Sequence, residues 1–150
     1  MTTVRLGRRE REMILLRADG LTVPESADTL GIMRNTGASH YNAAKSKLGV
    51  SGGSALIHEA YMAEAVDRPE PDPGDGIPVC LHDEEHQVLI LMTKGLDATE
   101  MATALGWSVY RARKTARHLM ATLGAKNASH TIKRAWQLGL LGPEKSHVRT

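Results

Sequence analysis

Gly20-Leu-Thr-Val-Pro-Glu-Ser-Ala-Asp-Thr-Leu-Gly31 and Gly95-Leu-Asp-Ala-Thr-Glu-Met-Ala-Thr-Ala-Leu-Gly106 carry the same punctuation at the same spacing. In the first, Thr22-x-x-Glu25 is a capping box: the hydroxyl accepts from the third backbone N–H of a helix while the carboxylate reaches back to the cap. Asp97-x-x-Glu100 offers the same exchange. Each short helix then closes on Leu-Gly, a left-handed stop that glycine takes without strain. Ala27 and Ala102 stand four residues before that glycine, where only a small side chain lets two helices meet closely. A longer helical pattern follows at once, about Arg34–Leu48 and Val109–Leu123. Short helix, tight turn and longer helix make a helix-turn-helix arrangement.

The likeness extends outward in both directions. Val4–Val66 lies on Val79–Leu141 without a gap, and 15 of 63 positions are identical, where composition alone predicts roughly four. Leu6/Leu81, Glu10/Glu85, Leu16/Leu91, Leu48/Leu123, Ile57/Ile132 and Ala60/Ala135 are among them; Tyr61/Trp136 swaps like for like. Helical spacing predicts a first helix over about Arg8–Asp19 and Asp83–Lys94, closed by Gly20 and Gly95, and a fourth over about Ser54–Val66 and Ser129–Leu138. No alternating strand pattern stands out. Between the copies, Arg68-Pro-Glu-Pro-Asp-Pro-Gly-Asp-Gly-Ile-Pro78 holds four of the six prolines. It cannot continue a helix, and ten such residues in extended form span roughly 30 Å. The expected organisation is a first domain over 1–67, a linker over 68–78, a second domain over 79–142 and a tail over 143–150, all-α throughout.

Composition narrows the chemistry. In 150 residues there are no Phe, two Trp and three Tyr, which argues against an aromatic-lined pocket. A single cysteine, Cys80, excludes an internal disulfide and reads as packed rather than catalytic. No apolar run approaches the roughly 18 residues of a membrane span, and the N-terminal residues lack the apolar stretch of a secretion signal. His82-Asp-Glu-Glu-His86 fits a zinc-binding H-x-x-E-H pattern. The repeat register, however, puts His82 at a helix N-cap, with the acids in the first turn where the helix dipole favours them. No metal, cofactor or catalytic residue is expected.

The third helices differ sharply. On a 100° wheel, Val109, Ala112, Ala116, Leu119, Met120 and Leu123 form one apolar stripe. Arg113, Lys114, Arg117 and His118 stand opposite, with Tyr110 among them, Arg111 on the flank and Lys126 just beyond. From Trp107 to Thr150 the charge balance is +8, and from Val79 to Gly106 it is −4, the one-sided distribution that a phosphate-binding surface requires. In the first copy the same face is nearly uncharged: Asn35, Ala38, Ser39, Asn42, Ala43 and Ser46. Two roles stay open for it. Asn35, Ser39 and Asn42 can read base edges while Arg34, Lys45 and Lys47 hold phosphates, or the copy acts as a pairing domain. Gly37 in this helix is expected to cost about 1 kcal/mol in propensity, plus core packing, and Met33 stands where a capping residue belongs.

Through Leu6, Arg9, Glu10, Glu12, Leu16, Ala18, Gly20, Glu25, Ala27, Leu30, Ile32, Thr36, His40, Lys47, Leu48 and Val50, the first copy resembles the LuxR-type (GerE/FixJ-type) DNA-binding domain. The second is similar through Leu81, Glu85, Val88, Leu89, Leu91, Gly95, Glu100, Ala102, Leu105, Ser108 and Leu123. The resemblance implies two four-helix LuxR-type helix-turn-helix domains in tandem, on a cytoplasmic, nucleoid-associated regulator of bacterial or phage origin. It implies that Arg113, Lys114 and Arg117, and their counterparts Ala38, Ser39 and Asn42, lie toward the bases of double-stranded DNA. It also implies that the fourth helix makes a dimer contact, through Leu56, Ile57, Tyr61 and Met62 in the first copy, either as a homodimer or as an intramolecular pseudo-dimer. The expected function is transcription regulation by DNA binding. The alternative is a protein-binding adaptor that docks on RNA polymerase or another regulator through the apolar fourth helix.

Overall fold

The computed structural model describes residues 4–72, 74, 76 and 78–143. Among these, eight helices and no strands occur: α1 (Arg8–Ala18), α2 (Val23–Leu30), α3 (Arg34–Leu48), α4 (Gly53–Met62), α5 (Asp83–Thr93), α6 (Ala98–Leu105), α7 (Val109–Leu123) and α8 (Ala128–Gln137). Each of the last four begins and ends 75 residues after its counterpart, so the repeat in sequence is a repeat in structure.

Local chemistry explains the boundaries. Thr22 Oγ1 accepts from Glu25 N at 3.2 Å while Glu25 Oε1 accepts from Thr22 N at 2.8 Å. Asp97 and Glu100 make the same exchange at 2.9 Å each way. Gly31 and Gly106 both stand at φ 70°, turning the chain into α3 and α7. Ser108 Oγ accepts from Arg111 N at 3.1 Å and caps α7, whereas Met33 supplies no side-chain cap to α3 and is 73% exposed.

Three expectations need correction. The fourth helix of the first copy ends at Met62, not near Val66, because Glu64 swings to φ 54° and Ala65 N donates to Ala60 O at 2.9 Å. Gly139 fills that left-handed position in the second copy. Gly37 is not merely a weak helix former: a Cβ there would lie 2.7 Å from the Ala27 methyl, so α2 and α3 meet at a distance only glycine allows. Cys80 is exposed rather than packed. The linker, where it is described, is held against both copies. Arg68 Nε donates to Tyr61 O at 2.8 Å and its guanidinium lies 5.4 Å from the Trp136 ring centroid. Asp72 N donates to Gln137 O at 2.9 Å, and its carboxylate accepts from Arg134 at 2.7 Å.

The two copies pack on each other through α4 and α8. At the N-terminal ends, a Cβ on Gly53 would lie 3.2 Å from Ser129 Oγ. At the C-terminal ends, the Tyr61 and Trp136 rings meet with centroids 5.3 Å apart. The helices therefore run side by side in the same direction. The flanking contacts come in matched pairs, α1 on α8 and α5 on α4, the pattern of an approximate two-fold axis along the α4/α8 seam. Leu56, Ile57 and Ala60 of α4 and Ile132 and Ala135 of α8 are completely buried, and one continuous core extends through both copies. Each such Leu or Ile contributes about 1.5–3 kcal/mol.

The matched contacts are not identical. Asn127 Nδ2 donates to Gly20 O at 2.9 Å. At the equivalent place Gly52 has no side chain, and a Cβ there would stand 3.2 Å from both Cα and O of Gly95. Lys133 adds an ion pair to Asp19 on the first side.

Candidate nucleic-acid interface

The apolar stripe of α7 goes inward as its periodicity requires: Ala112, Leu119 and Leu123 are buried almost completely and Ala116 nearly so. Arg113, Lys114, Arg117 and His118 are consequently turned to solvent, and Tyr110 is 69% exposed. Among the described residues no carboxylate lies within ion-pair distance of Arg113, Lys114 or Arg117. Three cations on one capped helix, without internal counter-ions, leave their charge available to an external anion.

Arg111 behaves differently. Its guanidinium lies 4.2 Å from the Trp107 ring centroid and donates to Glu84 Oε1 at 2.8 Å, tying α7 to the start of α5. Lys114, Thr115 and His118 form one wall of an open cleft of about 540 Å3, with His82 and Glu85 on the other and the Arg111–Glu84 pair within it. His82 is the N-cap of α5, where its backbone N–H donates to Glu85 at 3.0 Å. Lys126 is exposed but stands at the seam between copies: its side chain closes on Gly20, and its backbone N–H donates to His130 Nδ1 at 3.0 Å. Burial, reinforced by the charges of Lys126, Lys133 and Arg134, holds the His130 pKa below its ordinary value.

On α3, Asn35, Ser39 and Asn42 are likewise exposed and Ala38 is half-buried. The basic residues around them are engaged within the chain. Arg34 grips both carboxylate oxygens of Asp28, at 3.2 and 2.7 Å, and this pairing lowers the Asp28 pKa and raises that of Arg34. Lys45 Nζ lies 5.1 Å from the Tyr41 ring centroid. Lys47 donates to the buried carboxylate of Glu10 at 2.8 Å. The two third helices therefore occupy equivalent places with different electrostatics, one carrying cations that have no carboxylate partner among the described residues and the other uncharged amides and hydroxyls.

Of the residues expected at a dimer contact, Leu56, Ile57 and Tyr61 are buried within the chain, Tyr61 against Trp136 of the second copy, and Met62 is half-buried. Sequence reasoning missed Glu84 and Asp28, the counter-ions that engage Arg111 and Arg34. Both are acids on a neighbouring helix whose partnership depends on how that helix packs. It also missed Arg134, which ties the Leu123 carbonyl to the Asp72 carboxylate at 2.9 and 2.7 Å. No helix of the described residues is long and apolar enough to cross a membrane. No protein-family model, curated protein or solved structure matches the chain.

Proposed function

We propose that the chain is a tandem of two LuxR-type helix-turn-helix units that binds double-stranded DNA and regulates transcription, by binding rather than by catalysis, on the nucleoid in the cytoplasm. The observation that supports this best is the outer face of α7, where Arg113, Lys114 and Arg117 stand exposed, with no carboxylate partner among the described residues. Arginine there can grip guanine O6 and N7 with two parallel hydrogen bonds, while the remaining cations neutralise phosphates and release counter-ions. Ser108 fixes the start of the helix, and Arg111 fixes its attitude to α5.

The adaptor alternative would use the apolar fourth helix, but Leu56, Ile57 and Tyr61 are buried within the chain, and α4 packs on α8 of the second copy. No structural observation favours it.

The test is binding of Arg113→Ala/Arg117→Ala to duplex DNA at several salt concentrations. The double substitution should weaken binding and flatten the plot of log K against log[salt], by about 0.9 for each phosphate that is no longer neutralised. An affinity and slope equal to those of the parent would refute the assignment.

A further inference from the structure

Resting on that reading, we propose that one chain occupies a complete DNA site by itself, and that the site consists of two unlike, inverted halves. The α7 half supplies affinity through Arg113, Lys114 and Arg117, and the α3 half selects A·T pairs through Asn42, with Asn35 and Ser39 beside it.

Three observations lead there. First, α4 and α8 pair in parallel about an approximate two-fold axis, so α3 and α7 are related as the recognition helices of a dimer would be. Such symmetry presents two reading helices with opposite polarity, the relation by which dimeric helix-turn-helix proteins read half-sites about one helical turn or a multiple of it apart. Second, the surface that would recruit another chain is used up. Leu56, Ile57 and Ile132 are completely buried, and the exposed large hydrophobics among the described residues are Leu15, Met33 and Tyr110, none of them on α4 or α8. Third, the two faces carry different chemistry. Asn42 takes the place in α3 that Arg117 takes in α7, and Ser39 that of Lys114. An asparagine amide fits adenine N6 and N7 with two hydrogen bonds, as arginine fits guanine. The cations near α3 are held by Asp28, Tyr41 and Glu10, so this half contributes discrimination with little of the phosphate attraction that drives non-specific binding.

The experiment is selection of bound duplexes from a random pool by the full-length chain, followed by native mass spectrometry of the selected complex. One protein chain per duplex is expected, on a site with a G-containing half and an A·T half in inverted orientation. Asn42→Ala should reduce the preference for the A·T half by roughly 5- to 150-fold, while affinity for unrelated duplex and the salt slope stay unchanged. Two chains per site on a symmetric sequence would overturn the proposal. So would a site with a single informative half that Asn42→Ala leaves unaltered, and in both cases DNA binding through α7 would stand. Absence of duplex binding at any salt would overturn this proposal and the DNA-binding function together. Asn35→Ala serves as a second variant. Circular dichroism of each variant separates a weakened preference from a disrupted fold.

Discussion

Tyr61 and Trp136 occupy the same position of the two copies, and their rings meet edge to face with planes inclined at 62°. Equivalent residues that touch lie beside the axis relating the copies, and the reciprocal packing of α1 on α8 and α5 on α4 makes that axis an approximate two-fold. Trp136 is fixed there by its indole N–H, which donates to His58 Nδ1 at 3.1 Å. Tyr61 is 1% exposed; burial, with the charge of Asp19, pushes its phenol well above the ordinary value.

Truncating this contact should therefore weaken the whole molecule. Tyr61→Ala is expected to cost about 3–5 kcal/mol. Because the core is continuous, urea unfolding should remain a single transition, with fluorescence and circular dichroism coincident. Two separated transitions would show that each copy holds together independently.

Gly37→Ala should destabilise, against the usual gain of about 1 kcal/mol for alanine in a helix, because the new methyl meets that of Ala27. Overpacking of this kind costs about 1–3 kcal/mol. The double variant Gly37→Ala/Ala27→Gly should recover part of the loss. Thermal melting of the three proteins checks it.

Glu64→Gly should stabilise by about 1 kcal/mol, since it relieves a left-handed non-glycine residue. The exposed Glu64–Arg68 pair that it removes, 3.3 Å long, is worth little. An unchanged or lower melting temperature would contradict this.

Acid should act in two stages. His130 is held below the ordinary 6.5 by burial and by Lys126, Lys133 and Arg134. As pH falls below about 6.5, the unfolded chain takes up a proton that the fold resists, so stability present above that value is lost. His130→Gln should flatten this first decline in urea unfolding repeated from about pH 7.5 to about pH 5.5. For Glu10, burial raises the pKa, but the Lys47 hydrogen bond, the Gly7 N–H and the charges of Lys47 and His40 outweigh it and hold it below 4.5. Its contribution is complete above about pH 4.5 and disappears as pH falls through the lower folded value. Lys47→Met should cost about 1 kcal/mol at neutral pH, given the exposure of the lysine. It should also move the acid midpoint of circular dichroism upward.

Much of the fold was legible because its determinants are local. Thr22 with Glu25, Asp97 with Glu100, and the glycines at 31 and 106 act within one turn of chain, and they placed α3 and α7 to the residue. The exposed face of α7 was legible for the same reason: its apolar stripe leaves only one side for Arg113 and Arg117. What escaped depends on packing between helices. Nothing in the spacing shows that Glu10 meets Lys47, 37 residues away, or that Arg34 reaches back across the turn to Asp28. Nor could composition show that the apolar α4 is already covered. A surplus of small and aliphatic residues looks the same whether its partner lies in another chain or further along this one.

The unlike contacts at Gly20–Asn127 and Gly52–Gly95 carry a consequence for how such a molecule varies. In an assembly of identical subunits every substitution is felt twice, once on each side of the axis, and a change that suits one interface must suit its mirror. Fusion in one polypeptide lifts that restriction. An asparagine can bridge on one flank while bare backbone closes on the other, and each half is free to drift toward its own task without breaking the union.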